Sequence, residues 1–170
     1  MSEKLPSVND IIATPCGGSW ETKSGGTLNV LYKIDFAIVQ KLLTYDDAEL
    51  AVTNQDIRGL RSYRVRSVPG GAIGANEWHK IRNELVFASE GSFLWSCEDT
   101  YGEVREFTLD GSSAVYTPHH ILHRYKSLEG GSTISVLANT LFDPNDPSTH
   151  DSYSLGQFRQ AQQENASRPV

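Results

Sequence analysis

The feature that most constrains this chain is its punctuation. Fourteen glycines and seven prolines cut the sequence into short pieces. The pieces between them are strand-length and rich in β-branched and aromatic residues. Residues 62–68 alternate apolar and polar side chains more strictly than residues 28–39, which do so loosely. Residues 85–88, 92–97, 105–109, 114–116 and 133–138 follow, each bounded by a turn signal such as Pro69-Gly70-Gly71, Glu90-Gly91, Asp110-Gly111 or Gly130-Gly131. On a strand every second side chain faces the same way. A series of such pieces at roughly 8–12-residue spacing predicts an all-β sandwich or barrel.

Helix signals are few. Residues 37–43 carry an apolar face, 46–52 read as a helical turn or a further strand, and 157–164 as a short helix; residues 165–170 are expected to fray. No repeat or linker divides the chain, so one domain over residues 1–170 is expected. With 38% hydrophobic and 21% charged residues it has an ordinary globular composition. The net charge of −6 and the lack of a basic cluster argue against a nucleic-acid partner. The nearest approach to one is Arg58, Arg61, Arg64 and Arg66, which reads as a solvated face or as a local anion site, since guanidinium forks fit phosphate. No apolar run is long enough to span a bilayer, and residues 1–15 lack the apolar stretch of a signal peptide. A cytoplasmic protein without membrane contact is therefore expected. Cys16 and Cys97 have no Cys-x-x-Cys partner and read as small apolar residues.

Chemistry-bearing residues gather in two places. Glu77 and His79 are two apart, so a strand points both to one face. Glu84 has the wrong parity for the same strand, but a turn over residues 80–83 would aim it at the same point. His123 would arrive from another strand, positioned by the turn at Pro118. Imidazole and carboxylate together suit one divalent metal, Zn, Fe, Ni or Mn. They equally suit an acid/base pair without metal, and nothing calls for an organic cofactor. His119, His120 and His150 read as surface or loop residues. Trp78 faces away from Glu77 and His79 and is expected to pack, as is Trp95.

The spacing Glu77-x-His79-x4-Glu84-x6-Gly91, followed by Pro118-x4-His123, resembles the two cupin motifs, over residues 71–91 and 111–123. The resemblance implies a jelly-roll barrel with a short C-terminal helix or tail, and Glu77, His79, Glu84 and His123 as the metal ligands where a metal is held. Asp56-Ile57-Arg58-Gly59, Tyr63-Arg64-Val65 and the stretch from Gly74 to Lys80 resemble the WxcM-like family of small cupins. That family includes TDP-4-oxo-6-deoxyglucose 3,4-ketoisomerases. Of its motif Arg-Gly-x-His-Ala-His-Lys, His79 and Lys80 match, and Glu77 stands at the first histidine. The stretch from Leu137 to Pro147 is similar to the C-terminal cupin of capsular-polysaccharide UDP-sugar epimerase/reductases.

These resemblances imply a small-molecule substrate, a dTDP- or UDP-linked 4-oxo sugar. They imply epimerase or ketoisomerase chemistry by proton transfer, in polysaccharide, deoxysugar or other secondary-metabolite biosynthesis. The expected roles are proton transfer for His79 and Glu77, with Tyr63 and Tyr125 as acids. Arg64, Arg66 and Tyr116 are expected to bind substrate. Two other readings stand beside this one: a metal-dependent lyase, cyclase or oxygenase on another small molecule, and a non-catalytic ligand-binding cupin. A homodimer is expected, with residues 28–39 as the edge strand that pairs.

Overall fold

In the computed structural model, which describes residues 4–53 and 56–167, the short runs become twelve strands and three α-helices. In chain order they are β1 (Ile12–Pro15), β2 (Ser19–Glu21), β3 (Thr27–Asn29), α1 (Phe36–Leu42), α2 (Asp47–Ala51), β4 (Arg58–Val68), β5 (Ile73–Trp78), β6 (Glu84–Glu90), β7 (Phe93–Glu98), β8 (Val104–Leu109), β9 (Ser113–Thr117), β10 (Leu122–Ser127), β11 (Ser132–Thr140), β12 (Tyr153–Ser154) and α3 (Leu155–Ala166). Two antiparallel five-stranded sheets, β1-β9-β6-β11-β4 and β12-β5-β10-β7-β8, face one another as a jelly roll. Their inner faces meet in one core that includes Val86, Ala88, Phe93, Trp95, Val115, Ile134 and Val136.

Strand β6 shows how the sheets set the site. Its residues Glu84 through Ala88 are all buried, where a sheet solvated on one side would alternate. Val86 and Ala88 enter the core between the sheets. Leu85 and Phe87 point outward and are covered by Ile38 and Leu42 of α1. Glu84 shares the parity of Val86 and Ala88, so a carboxylate lies at the inner end of an apolar stripe.

Residues 28–39 depart from the expected strand. Only Thr27–Asn29 forms a strand there, and it pairs with β2 in a separate two-stranded ribbon. Asp35 then caps a helix, its side chain accepting from Ile38 N at 2.9 Å. Ile38 and Leu42, four apart, form the buried face of that helix. The expected dimer edge is therefore not an edge of either main sheet. Residues 46–52 resolve to helix, with Asp46 capping α2. At the far end, α3 is longer than its sequence signal: Asn165 and Ala166 lie within it, and Asn165 donates to Thr100 Oγ1 at 3.2 Å. The expected fraying does not reach these residues, and 168–170 lie outside the described residues. Phe158 of α3 packs on Trp78 and Leu122, which accounts for Trp78 facing away from Glu77.

Candidate active site

A bulge aims the first carboxylate. His123 of β10 pairs with Glu77 of β5, and the next residue, Arg124, pairs with Ala75, so Asn76 is extra. Ala75 and Asn76 both take the left-handed conformation, at φ 60° and 62°. Such an inserted residue bends its strand and re-aims the side chains beyond it. It brings Glu77 beside His123 at the end of the strand.

A carboxylate aims the second. Asp151 accepts from the backbone of Lys80 at 3.0 Å, Ile81 at 2.9 Å and Arg82 at 2.8 Å. Burial raises its pKa, against the three amides that hold it down. This cradle makes the turn over residues 80–83 that returns Glu84 to the cluster. The carbonyl of Asp151 accepts from His79 Nδ1 at 2.5 Å. Similarly, His123 Nδ1 donates to Ile121 O at 3.1 Å. A carbonyl can only accept, so both imidazoles carry their proton on Nδ1 and turn Nε2 inward.

The inward atoms converge. One ligating atom each from Glu77, His79 and His123 lies within 4.8 Å of the others. Glu84 stands 3.6 Å from His79 Nε2 and 3.5 Å from His123 Nε2. Tyr63 donates its hydroxyl to Glu84 Oε1 at 3.0 Å. Arg82 Nη1 lies 3.5 Å from that same oxygen and 3.4 Å from His79 Nε2, and its Nε donates to Thr140 Oγ1 at 3.1 Å. Trp95 stacks on His123, with ring centroids 4.9 Å apart. Burial, and next the Arg82 guanidinium, hold the His79 pKa well below the ordinary 6.5. Burial, reinforced by Glu84, keeps Tyr63 a phenol at every working pH. Burial likewise pushes the Cys97 thiol up to about 12, in line with its reading as an apolar residue.

The depressed imidazole has a consequence for stability. His79, and His119 for the same reason of burial, are neutral in the folded chain near pH 7. Unfolding restores the ordinary pKa near 6.5, so the unfolded chain binds more protons as pH falls through that value. Stability from these two residues is complete above pH 7 and declines from there down to the depressed folded values. Urea midpoints at pH 7.5 and 5.5 should fall toward acid; equal midpoints would mean that the folded chain already holds those protons.

A cavity of about 430 Å³ opens on this cluster, lined by Arg61, Tyr63, Glu77, Arg82, Phe142 and Ser152. Arg61 stacks its guanidinium over the rings of Tyr63 at 5.0 Å and Phe142 at 4.9 Å. Glu77 is half-buried on the cavity wall. His79, at 2% exposure, lies behind it. The wall thus joins a carboxylate, two guanidiniums and a protonated phenol. Such a set can take a proton from carbon and hold the oxyanion that results.

The profile of the family described as "FdtA: WxcM-like, C-terminal" matches residues 42–155, more than half of the chain. The chain belongs to the WxcM-like family. Comparison with curated protein sequences gave no match. Among solved structures, the WxcM-like chain is similar to QdtA, a sugar 3,4-ketoisomerase from Thermoanaerobacterium thermosaccharolyticum in complex with TDP. The TM-score is 0.62 at 16% identity, over 93% of this chain and 98% of that one. It is similar to WlaRA, a TDP-fucose-3,4-ketoisomerase from Campylobacter jejuni, with TM-score 0.60 at 13% identity over 90% and 96%. It also resembles RmlC from Streptococcus suis in complex with dTDP-D-xylose, with TM-score 0.56 at 10% identity over 84% and 70%. These likenesses establish the shared fold.

In this WxcM-like chain Glu77, His79, Glu84, His123 and Tyr63 come together, and four other expected site residues lie elsewhere. Arg64 and Arg66 are exposed and have the opposite strand parity to Arg61 and Tyr63, so they point away from the cavity. Tyr116 is buried with Ile38, Leu42 and Leu85 outside the inter-sheet core, beside a separate cavity of about 640 Å³. Tyr125 packs edge-on against Phe93 and covers Gly74, where an added Cβ would fall 2.2 Å from its ring. It does not line the cavity that opens on the cluster. His150 is exposed, and His119 and His120 lie in the turn between β9 and β10, as expected of surface or loop residues, although His120 is buried and His119 half-buried. Sequence reasoning named Arg61 only within a group of four arginines, and gave no site role to Arg82, Phe142, Asp151 or Ser152. Parity with Tyr63 could have found Arg61. Arg82 sat in the predicted turn, and the three residues of the segment after β11 carry no local signal.

Proposed function

We propose that this chain is an isomerase that moves a proton beside the ketone of a nucleotide-linked 4-oxo sugar, in deoxysugar or polysaccharide biosynthesis. The observation that carries the reading is Glu77 on a cavity wall with Arg61, Arg82 and the phenol of Tyr63. The Glu77 carboxylate takes the C3 proton. The C–H pair becomes the C3–C4 double bond, and the carbonyl pair moves onto O4. Arg61 and Arg82, both permanent cations, stabilise that oxygen. Transfer of the O3 proton to O4, with re-forming of the carbonyl at C3 and protonation at C4, gives the 3-oxo isomer; return of a proton to the opposite face of C3 gives the epimer. Similar structures support the first course: QdtA is a sugar 3,4-ketoisomerase, and a variant of it was solved with TDP-4-keto-6-deoxyglucose.

The test is incubation with TDP-4-keto-6-deoxyglucose in D2O, followed by NMR. Deuterium entering at C3 or C4, with a 3-keto product, is the expected result. Neither exchange nor a rise of Tm with TDP would set this reading aside.

One observation favours a second reading, a metal-dependent cupin on another small molecule. Both histidines donate Nδ1–H to backbone carbonyls, the arrangement that orients an imidazole for a metal. Glu77, His79 and His123, with Glu84 adjacent, fit one divalent ion. Such an ion would supply Lewis-acid polarisation of a substrate carbonyl. Metal content of protein purified without chelator or affinity metal, compared with that of a His79→Ala variant, separates the two readings: only metal that this variant loses belongs to the cluster on the cavity.

A homodimer belongs to the proposal. Strand β4 is an eleven-residue edge with Leu60 and Val65 exposed, and such an edge invites pairing; a scattering mass of one chain counts against it. Among the described residues no helix is long and apolar enough to cross a membrane, and a nucleotide-sugar substrate would place the enzyme in the cytoplasm.

A further inference from the structure

A second convergence of ligating side chains lies outside the active-site cavity. Asp46, His119 and His120 each offer one ligating atom, and the three atoms lie within 4.8 Å of one another. They come from two distant segments: Asp46 precedes α2, and the histidines form the turn between β9 and β10. We propose that these three residues bind one divalent transition-metal ion, of the class of Zn²⁺, Co²⁺ or Ni²⁺, at a site separate from the one facing the substrate cavity.

The surroundings are built for it. Asn83 Oδ1 accepts from both His119 N at 2.9 Å and His119 Nδ1 at 3.1 Å. That bond holds the ring and leaves its Nε2 to bind an ion, as a second-layer partner does. The Asn83 amide also donates to Lys41 O at 3.2 Å and Thr44 O at 3.1 Å, anchoring the segment that carries Asp46. One residue thus positions both halves of the site. Asp46 uses only Oδ1 to cap α2, accepting from Ala48 N and Glu49 N. Its second oxygen is left for the metal. His120 is fixed by its backbone, at φ 61°, with its N donating to His79 O at 2.7 Å.

Asp46 and His119 line a cavity of about 350 Å³. That cavity supplies an entry path and a position for a water ligand. A tetrahedral ion with bonds of about 2.0–2.1 Å holds its ligands roughly 3.3 Å apart, so a contraction of at most about 1.5 Å closes the set. Two imidazoles and one carboxylate select borderline ions over Mg²⁺ or Ca²⁺. Bound there, the ion would pin the α2 segment to the turn whose backbone holds His79.

The experiment titrates the EDTA-treated full chain with Co²⁺, read by its visible absorption, and with Zn²⁺ in competition with a chromogenic chelator. Three variants divide the sites. Asp46→Asn keeps the oxygen that caps α2, His119→Gln removes one imidazole, and His123→Asn alters only the active-site cluster. The expected result is a binding event whose Kd rises at least about tenfold in Asp46→Asn and in His119→Gln, and is unchanged in His123→Asn. Equal melting temperatures in EDTA establish that a variant is folded; if His119→Gln is not, Asp46→Asn decides alone. No binding, or binding lost only in His123→Asn, overturns the proposal. Because the readout is the ion and not turnover, it stands or falls apart from the proposed reaction.

Discussion

Glu77→Gln should lower turnover of a TDP-linked 4-oxo sugar by about 10²–10⁴-fold, the range for removing a general base, with little change in TDP affinity. The amide has the size of the carboxylate but cannot accept the C3 proton. Its neighbours on the cavity wall, Arg61, Tyr63 and Arg82, remain to hold ligand. His79 is the obvious rival for the base, being the histidine that matches the family motif. The structure argues against it on two counts. His79 is 2% exposed and does not line the cavity. Burial and Arg82 also depress its proton affinity, and a weakly basic imidazole drives proton abstraction poorly. Deuterium exchange at C3 should vanish in Glu77→Gln and be largely recovered in Glu77→Asp. Full exchange in the glutamine variant would place the base elsewhere and would remove the main support for the reaction proposed. Calorimetry with TDP keeps the two questions apart, since a collapsed site would lose affinity together with rate.

The cluster was legible in the sequence because strand parity and turn signals act locally. Glu77 and His79 two apart, Glu84 out of phase beyond a turn, and His123 placed by Pro118 were enough to bring four side chains together. What makes that turn was not legible. The Asp151 carboxylate accepts from the backbone of Lys80, 71 positions earlier in the chain, and nothing local marks it. The apolar face over residues 37–43 marks helix α1, but loose alternation over 28–39 also resembles a strand; what decides between them is the Asp35 cap followed by Ile38 and Leu42 at helical spacing. Charge alone favours Arg64 and Arg66 as anion ligands. The parity argument that places Tyr63 inside places Arg61 beside it and sends Arg64 out. In each miss a longer-range or stricter geometric rule overrode a compositional one.

Arg82→Met should destabilise the chain by about 3–5 kcal/mol at pH 8, the usual cost of orphaning one member of a buried ion pair. Arg82 is 3% exposed and Glu84 2%. With the guanidinium gone, the Glu84 carboxylate keeps Tyr63 as a hydrogen-bond donor but loses its permanent counter-charge. The loss should shrink toward acid pH. Arg82 is one of the groups that depress His79, and removing it raises the His79 pKa toward ordinary values. Protonated His79, 3.6 Å from Glu84, can then replace the missing cation. Relative to the parent, the folded variant then takes up the His79 proton at a higher pH, so its deficit narrows as pH falls toward that pKa. The variant should therefore show a smaller deficit at pH 6 than at pH 8, read from urea midpoints against the parent. Adding Glu84→Gln should recover part of the loss at pH 8, because no carboxylate is then left uncompensated. A deficit below about 1 kcal/mol at pH 8, or one that does not respond to Glu84→Gln, would show that Arg82 does not balance Glu84. Arg82 would then be free to serve the substrate oxyanion alone, and its loss would appear in kcat with stability unchanged.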